Sequence, residues 1–381
     1  MLRKLTAIFT IAMAACTLTG QAQETKKESP KQYIKATDLR IINKGFDDTE
    51  RTYSRLPIWL KDSVRDDLWN RQQCSTGIGV RFATNSSTIG VRYDLFWNTH
   101  MIHMADTGLK GTDLYILEGD SVWRHVNTNR PYIKKGTDKT CEFTYVEHLS
   151  PEMKEFMVYL PLYDGITDLD IVVDSGATIT EGNLDIIDKN KKIIAYGTSI
   201  LQGGCASRTG MCATNIMSRD LNCEIVNLAF SGEGKMDYCM ARAMAQIPDV
   251  DLYFLDPVPN CTEMMCDTLT YDFVKILVEA RPEVPIVMLE GPMYPYSRYD
   301  PSFGNYLPRK NAALRRNFER VKKDYPNAKL YYITADKLDR AYNDGTVDGI
   351  HLTDLGFVEY AEEITPILRE ILYPNGQPVK Y

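Results

Sequence analysis

Five residues able to take part in acyl transfer stand just beyond the strand-like runs in the second half of this 381-residue sequence. Ser199 follows the apolar run Ile193-Ile194-Ala195-Tyr196 and the turn formers Gly197-Thr198, which puts a hydroxyl at the carboxyl end of a strand. Gly232 follows a second run through Phe230-Ser231, Asn260 follows a third through Pro257-Val258-Pro259, and Asp348-Gly349-Ile350-His351 comes after the last. In a parallel sheet all these ends lie at one edge, where ligands bind. Together they supply what acyl transfer requires. Ser199 is the candidate nucleophile, His351 the base that takes its proton, and Asp348 the carboxylate that orients the imidazole. The amides of Ser199 and Gly232 and the carboxamide of Asn260 are the candidate oxyanion donors. Taken singly, each has a plain structural explanation as a turn or cap residue. The joint placement is what argues for chemistry, and such a site needs no metal or organic cofactor.

The elements that must hold these residues can be read from periodicity. Strand-like runs at 193–197, 224–229, 252–258, 286–290 and 330–334 alternate with helical stretches near 212–221, 236–246, 271–280 and 311–323 and from about Asp354. That alternation predicts a parallel sheet covered by helices on both faces, an α/β/α three-layer domain over residues 191–373. The upstream half has a different rhythm. Ile78, Val80 and Phe82 alternate, Asn85-Ser86-Ser87 turns, and Ile89, Val91, Tyr93 and Leu95 alternate again, predicting a β-hairpin. A second hairpin is expected at Leu114-Tyr115-Ile116-Leu117 and Val122-Trp123, with further strands at 156–162 and 169–173. Many short strands predict an all-β sandwich or jelly roll over residues 31–188. Leu56-Pro57 and Trp59 suggest a segment laid across a surface. The connection from Pro292 to Pro308 reads as a long tyrosine-rich loop, either lining the cleft or packing on its own domain.

The first residues read as a secretory signal over 1–22. Arg3 and Lys4 precede an apolar stretch from Leu5 to Ala15, and Gly20-Gln21-Ala22 offers the small residues of a cleavage site. Cys16 is an alternative, lipid-anchored start, although Met13 stands where such sites usually carry Leu. Loss of Arg3 and Lys4 takes the formal net charge from −7 to −9, which argues against nucleic acid or an anionic membrane as partner. No further span follows the signal. Of the cysteines, Cys205 with Cys212 and Cys261 with Cys266 are near enough in sequence to form disulfides, and buried thiols are the equal alternative. His100, His103, His125 and His148 fall in the β half and read as structural, and His100-x-x-His103 is too sparse for a metal site.

Gly197-Thr198-Ser199-Ile200 resembles the first block of the SGNH, or GDSL-like, hydrolases. Ser199, Gly232, Asn260 and His351 match the four residues for which that superfamily is named, in order. Upstream, His103-Met104, Thr107-Gly108 and Gly111-Thr112-Asp113-Leu114-Tyr115 are similar to the N-terminal domain of a bacterial subgroup of these esterases, named for its Gly-x-Asp-Leu-Tyr motif. Two positions depart from the wider pattern: Thr198 stands where the family has Asp, and Cys261 follows Asn260 where many members have Asp. The resemblance implies an exported serine esterase that removes acyl groups, acetyl foremost, from an acylated glycan. The alternatives are a lipid or thioester hydrolase and a catalytically inert glycan-binding protein. Oligomeric state is not legible.

Overall fold

The computed structural model describes residues 30–119, 122–131, 139–182 and 191–376. The expected signal segment lies outside them. Among the described residues no helix is long and apolar enough to cross a membrane.

Among the described residues the N-terminal part has ten strands: Lys31–Lys35 (β1), Arg40–Ile42 (β2), Gly79–Thr84 (β3), Ile89–Leu95 (β4), Asp113–Glu118 (β5), Val122–Thr128 (β6), Thr140–Val146 (β7), Lys154–Tyr159 (β8), Ile166–Asp174 (β9) and Ile179–Thr180 (β10). Short helices at Asp66–Arg71 (α1) and Asp106–Leu109 (α2) interrupt them. One antiparallel sheet has the order β1-β9-β4-β7 and the other β10-β3-β8-β5-β6, with β2 beside β3. They pack face to face over a core of Phe82, Phe156, Val91, Tyr93 and Ile171, so the part is the expected sandwich.

The first expected hairpin does not form. Strands β3 and β4 belong to opposite sheets, and the chain between them turns a corner. A single carboxylate oxygen of Asp174 at the end of β9 holds that corner, accepting from the Ser87 and Thr88 amides and the Ser86 and Ser87 hydroxyls at 2.7–3.0 Å. Sequence alternation reports a buried face but not which sheet it belongs to. The second expected hairpin forms as β5 and β6.

The C-terminal part is a five-stranded parallel sheet of Lys192–Gly197 (β11), Glu224–Ala229 (β12), Leu252–Asp256 (β13), Ile286–Leu289 (β14) and Leu330–Ile333 (β15), in the order β12-β11-β13-β14-β15. Its strands are buried nearly throughout, as a sheet covered on both faces requires. The covering helices include Ser199–Gln202 (α3), Ala213–Leu221 (α4), Tyr238–Met244 (α5), Glu263–Ala280 (α6), Pro301–Asp324 (α7) and Asp354–Leu372 (α8). Strand order reverses at β11, which lies between β12 and β13. The crevice beyond β11 and β13 is therefore the place where a ligand site is expected in such a sheet.

Two helices start earlier than periodicity suggested. Helix α6 begins at Glu263 because the Thr262 hydroxyl caps it, accepting from Met265 N at 3.1 Å. Helix α7 begins at Pro301, capped by Asp300, and carries Pro308 in its interior. The supposed loop to Pro308 is thus largely helical.

The two parts share their hydrophobic interior. Met104, Leu109, Leu162 and Tyr163 of the β part join the cluster on one face of the parallel sheet. Phe46, Leu56, Leu60, Leu68 and Trp69 join the cluster on the other. Arg55, almost wholly buried, donates to the carbonyls of Cys74, Asn227 and Ala229, fastening the 55–74 segment to the end of β12.

Candidate active site

The structure brings the separated residues together beyond the carboxyl ends of β11, β12 and β13. Ser199 opens α3 directly after β11, and the Thr198 hydroxyl caps that helix by accepting from Ile200 N at 3.4 Å. Thr198 thereby does the capping for which an Asp at this position would also serve. His351 Nε2 lies 2.9 Å from Ser199 Oγ, and His351 Nδ1 lies 2.8 Å from Asp348 Oδ2.

The turn carrying the acid and imidazole is built by the acid itself. Asp348 Oδ1 accepts from the amides of Ile350 at 3.0 Å and His351 at 2.8 Å, and Gly349 takes a left-handed φ of 84°. Burial alone raises the Asp348 carboxyl. The His351 amide and ring and the Ile350 amide outweigh that and hold it below its ordinary value. Asp348 is thus an anion whose free oxygen lone pairs face an imidazole N–H, which leaves Nε2 to accept from Ser199.

Three groups beyond the ends of β11, β12 and β13 are the candidate oxyanion donors. The Ser199 amide belongs to the first turn of α3, where N–H groups lack intrahelical acceptors. Gly232 adopts φ 76° in the turn after Phe230, with open space where a Cβ would lie, so its amide can be approached closely. Asn260 sits in the turn after β13, and its side-chain Oδ1 is buried without a hydrogen-bond partner among the described residues. Its backbone is fixed by the Asn260 N to Pro257 O bond at 3.2 Å.

Several residues that support the site had no role there readable from the sequence. Gln202 is fully buried; it accepts from Ser231 N at 2.7 Å and donates to Leu162 O at 3.0 Å, linking the Gly232 turn to the β part. The Tyr163 hydroxyl, also from the β part, donates to Ser199 O at 3.1 Å. Asp113 and Tyr115 of the Gly111–Tyr115 motif grip the segment that follows α3. Asp113 Oδ2 accepts from Arg208 Nη1 at 2.7 Å and Gly210 N at 2.8 Å, and the Tyr115 hydroxyl accepts from Arg208 at 2.7 Å.

Expectations about the histidines and tyrosines need correction. His100 pairs with Asp106 and His125 with Thr128, but His103 is no remote structural residue: its ring centroid lies 5.7 Å from that of His351. A bridge between Met101 and Met104 makes the tight turn that delivers it. No sequence spacing could have shown this, since 248 residues separate the two rings in the chain. Of the tyrosines between Pro292 and Pro308, Tyr294 packs into the core, Tyr306 accepts from Glu263 N, and Tyr296 stacks on Tyr294 and lies against Gly349 at the edge of the site. The described cysteines are free thiols. Burial, with the Asp348 charge nearby, pushes the Cys205 thiol up to about 12, so it is no competing nucleophile.

A hydroxyl, an imidazole and a carboxylate aligned at the reversal point of a five-stranded parallel sheet are the features of an SGNH-type ester hydrolase. Comparison with known proteins agrees. Residues 190–369 match the GDSL-like lipase/acylhydrolase family, and residues 31–179 match the GxDLY domain, the N-terminus of SGNH hydrolase-type esterases. A protein from Bacteroides ovatus ATCC 8483 described as a GDSL-like lipase is 30% identical, with a TM-score of 0.83 over 90% of this chain and 98% of that one. The chain belongs to the GDSL-like lipase/acylhydrolase family. At lower identity the same two-part fold recurs in the salicylyl-acyltransferase SsfX3 of a tetracycline biosynthetic pathway (17% identical, TM-score 0.69, 92% of this chain and 99% of that one). It recurs also in a family two carbohydrate esterase from Cellvibrio japonicus (13%, 0.57, 90% and 98%). No curated protein matches the sequence.

Proposed function

We propose that this acylhydrolase is an exported serine esterase that removes acetyl groups from carbohydrate through an acyl-enzyme. The observation that carries the reading is the unbroken chain Ser199 Oγ, His351 Nε2, His351 Nδ1, Asp348 Oδ2, with both contacts under 3 Å. Ser199 attacks the ester carbonyl while His351 takes its proton. The oxyanion is met by the amides of Ser199 and Gly232 and by the Asn260 carboxamide. His351, held by Asp348, then protonates the leaving sugar hydroxyl, and the same imidazole activates the water that releases acetate. In this reading residues 1–22 are the signal, 31–188 the β-sandwich domain and 191–373 the hydrolase domain.

Carbohydrate is favoured by Tyr296 at the edge of the site and by the likeness of fold to a family two carbohydrate esterase. The test is a panel of acetylated oligosaccharides and of acetyl, butyryl and octanoyl aryl esters, with Ser199→Ala as control. Each methylene buried in a true fatty-acyl pocket is worth about 0.8 kcal/mol, so a lipid site would favour long chains steeply. Acetyl esters should react fastest, acetylated oligosaccharides should exceed aryl acetates in kcat/KM, and Ser199→Ala should be nearly inactive. Rates rising through octanoyl would assign a lipid or thioester substrate instead. Glycan binding without hydrolysis by either form would leave a binding protein.

A further inference from the structure

The ring of His103 and the thiol of Cys205 meet at the imidazole that the proposed reaction uses as its base. Their ligand atoms and one of His351 all lie within 4.8 Å of one another. The three come from separate pieces of the fold: the Met101–Met104 turn of the β part, the segment just after α3, and the Asp348–His351 turn before α8. His103 is exposed, whereas Cys205 is buried.

We propose that His103, Cys205 and His351 form a binding site for a zinc ion, and that occupation of it reversibly shuts off the hydrolase. Two imidazoles and a thiolate are a donor set suited to zinc in tetrahedral coordination, with the fourth position open to water. Bond lengths of about 2.0–2.3 Å place tetrahedral ligand atoms roughly 3.3–3.7 Å apart. The cluster therefore has to contract by about 1 Å, which rotation of the exposed His103 side chain supplies. On binding, two imidazole nitrogens and the sulfur form bonds to the metal, and the thiol proton leaves to solvent, so that a dication becomes a site of net charge +1. No electron is transferred. His351 cannot hold a metal and serve Ser199 with the same ring, so zinc and catalysis exclude each other. This consequence rests on the esterase reading above. The site itself rests only on the cluster.

The experiment uses the full mature chain, stripped with EDTA and dialysed, with zinc chloride and cobalt(II) chloride as probes. Calorimetry should find one zinc per chain. Cobalt should give a thiolate charge-transfer band in the near ultraviolet and visible bands of tetrahedral intensity, and Cys205→Ser should lose the former. Cys205→Ser and His103→Ala should each weaken zinc by at least about 100-fold, since even outer-shell partners of a metal site cost 10- to 100-fold. Both variants should keep the metal-free ester hydrolysis of the parent, which also shows that they fold. Zinc should abolish parental activity at the concentration at which it binds, and EDTA should restore it. Zinc binding that is unchanged in both variants, or a cobalt complex without a thiolate band, overturns the inference while leaving the esterase intact. One zinc bound through these residues in a protein that hydrolyses no ester supports the site and removes the esterase reading instead.

Discussion

Replacement of Asp113 by alanine should loosen the two parts of the molecule from each other, and the size of the effect can be worked out. The carboxylate is fully buried, with Oδ2 accepting from Arg208 Nη1 and Gly210 N and Oδ1 from the Thr128 hydroxyl at 2.8 Å. Gly210 lies so close to Tyr115 that a Cβ would stand 2.2 Å from its hydroxyl, so this backbone cannot withdraw to find water. Each bond to a charged group is worth about 1.5–3 kcal/mol, and breaking a buried pair by removing one partner costs about 3–5 kcal/mol. Arg208 keeps its bond to Tyr115 and its side chain is 22% exposed, which favours the lower part of that range. Asp113→Ala should therefore lose about 3 kcal/mol of stability.

Urea unfolding followed by both tryptophan fluorescence and far-ultraviolet circular dichroism is the assay. Since both hydrophobic clusters of the parallel sheet contain residues of the β part, the two probes should report one transition. Arg208→Ala and the double variant complete a cycle, in which a coupling of at least about 1 kcal/mol is expected for residues in direct contact. The gripped segment continues from the helix that begins with Ser199, so kcat/KM should fall as well. A misplacement of 1 Å can cost about 10² in rate. A loss below about 1 kcal/mol, with additive single variants, would refute the idea that this aspartate clamps the domains.

Other outcomes follow from the same geometry. Asp348→Asn keeps the turn but presents an amide to His351 Nδ1, and kcat should drop by roughly 10³–10⁴ with little change in KM; a tenfold loss or less would show that the imidazole needs no anion. His351→Ala should remove most of the rate, because no ring then accepts the Ser199 proton, and a variant that keeps it would assign the base elsewhere. Asp256, wholly buried with one oxygen bonded to Tyr360, is raised by that burial to about 7. An unfolded carboxyl has a pKa of about 3.9, so the folded state retains a proton between these values and stability falls as pH climbs from about 4 to 7. Asp256→Asn should remove that slope and gain roughly 2–4 kcal/mol relative to the parent at pH 8 but not at pH 4; equal pH profiles would refute it. Cleavage between Asp185 and Asn190 should leave two fragments that co-elute, and fragments that separate with full activity in the second would deny the shared interior.

The meeting of Ser199, His351 and Asp348 was legible because strand ends in a parallel sheet are fixed by short-range signals. Gly197 ends β11, Ser199 follows, and Asp348 and His351 build their own turn from local hydrogen bonds. What could not be read depends on contacts with no local trace. The β3 to β4 corner is settled by Asp174, some ninety residues onward, and the start of α7 at Pro301 by a cap and a proline that on their own argue for a loop as readily as for a helix.

The larger gap between sequence and structure concerns what the β part does. Composition and rhythm divide the chain sharply into two halves, yet Arg55, Tyr163 and Asp113 all reach into the hydrolase half, and Gln202 reaches back. Arg55 is the clearest case. It is buried and pushed down to about 10 by that burial, and its guanidinium is stacked on Phe230 and bonded to carbonyls, with no carboxylate among the described residues paired to it. A lone cation buried in that way is costly, and here it holds the strand end that leads into the Gly232 turn. The β part is therefore part of the frame that holds the strand end leading into the Gly232 turn. Domain boundaries drawn from secondary-structure pattern mark where the folding rhythm changes, and in this protein the hydrogen bonds that hold the candidate site extend across that mark.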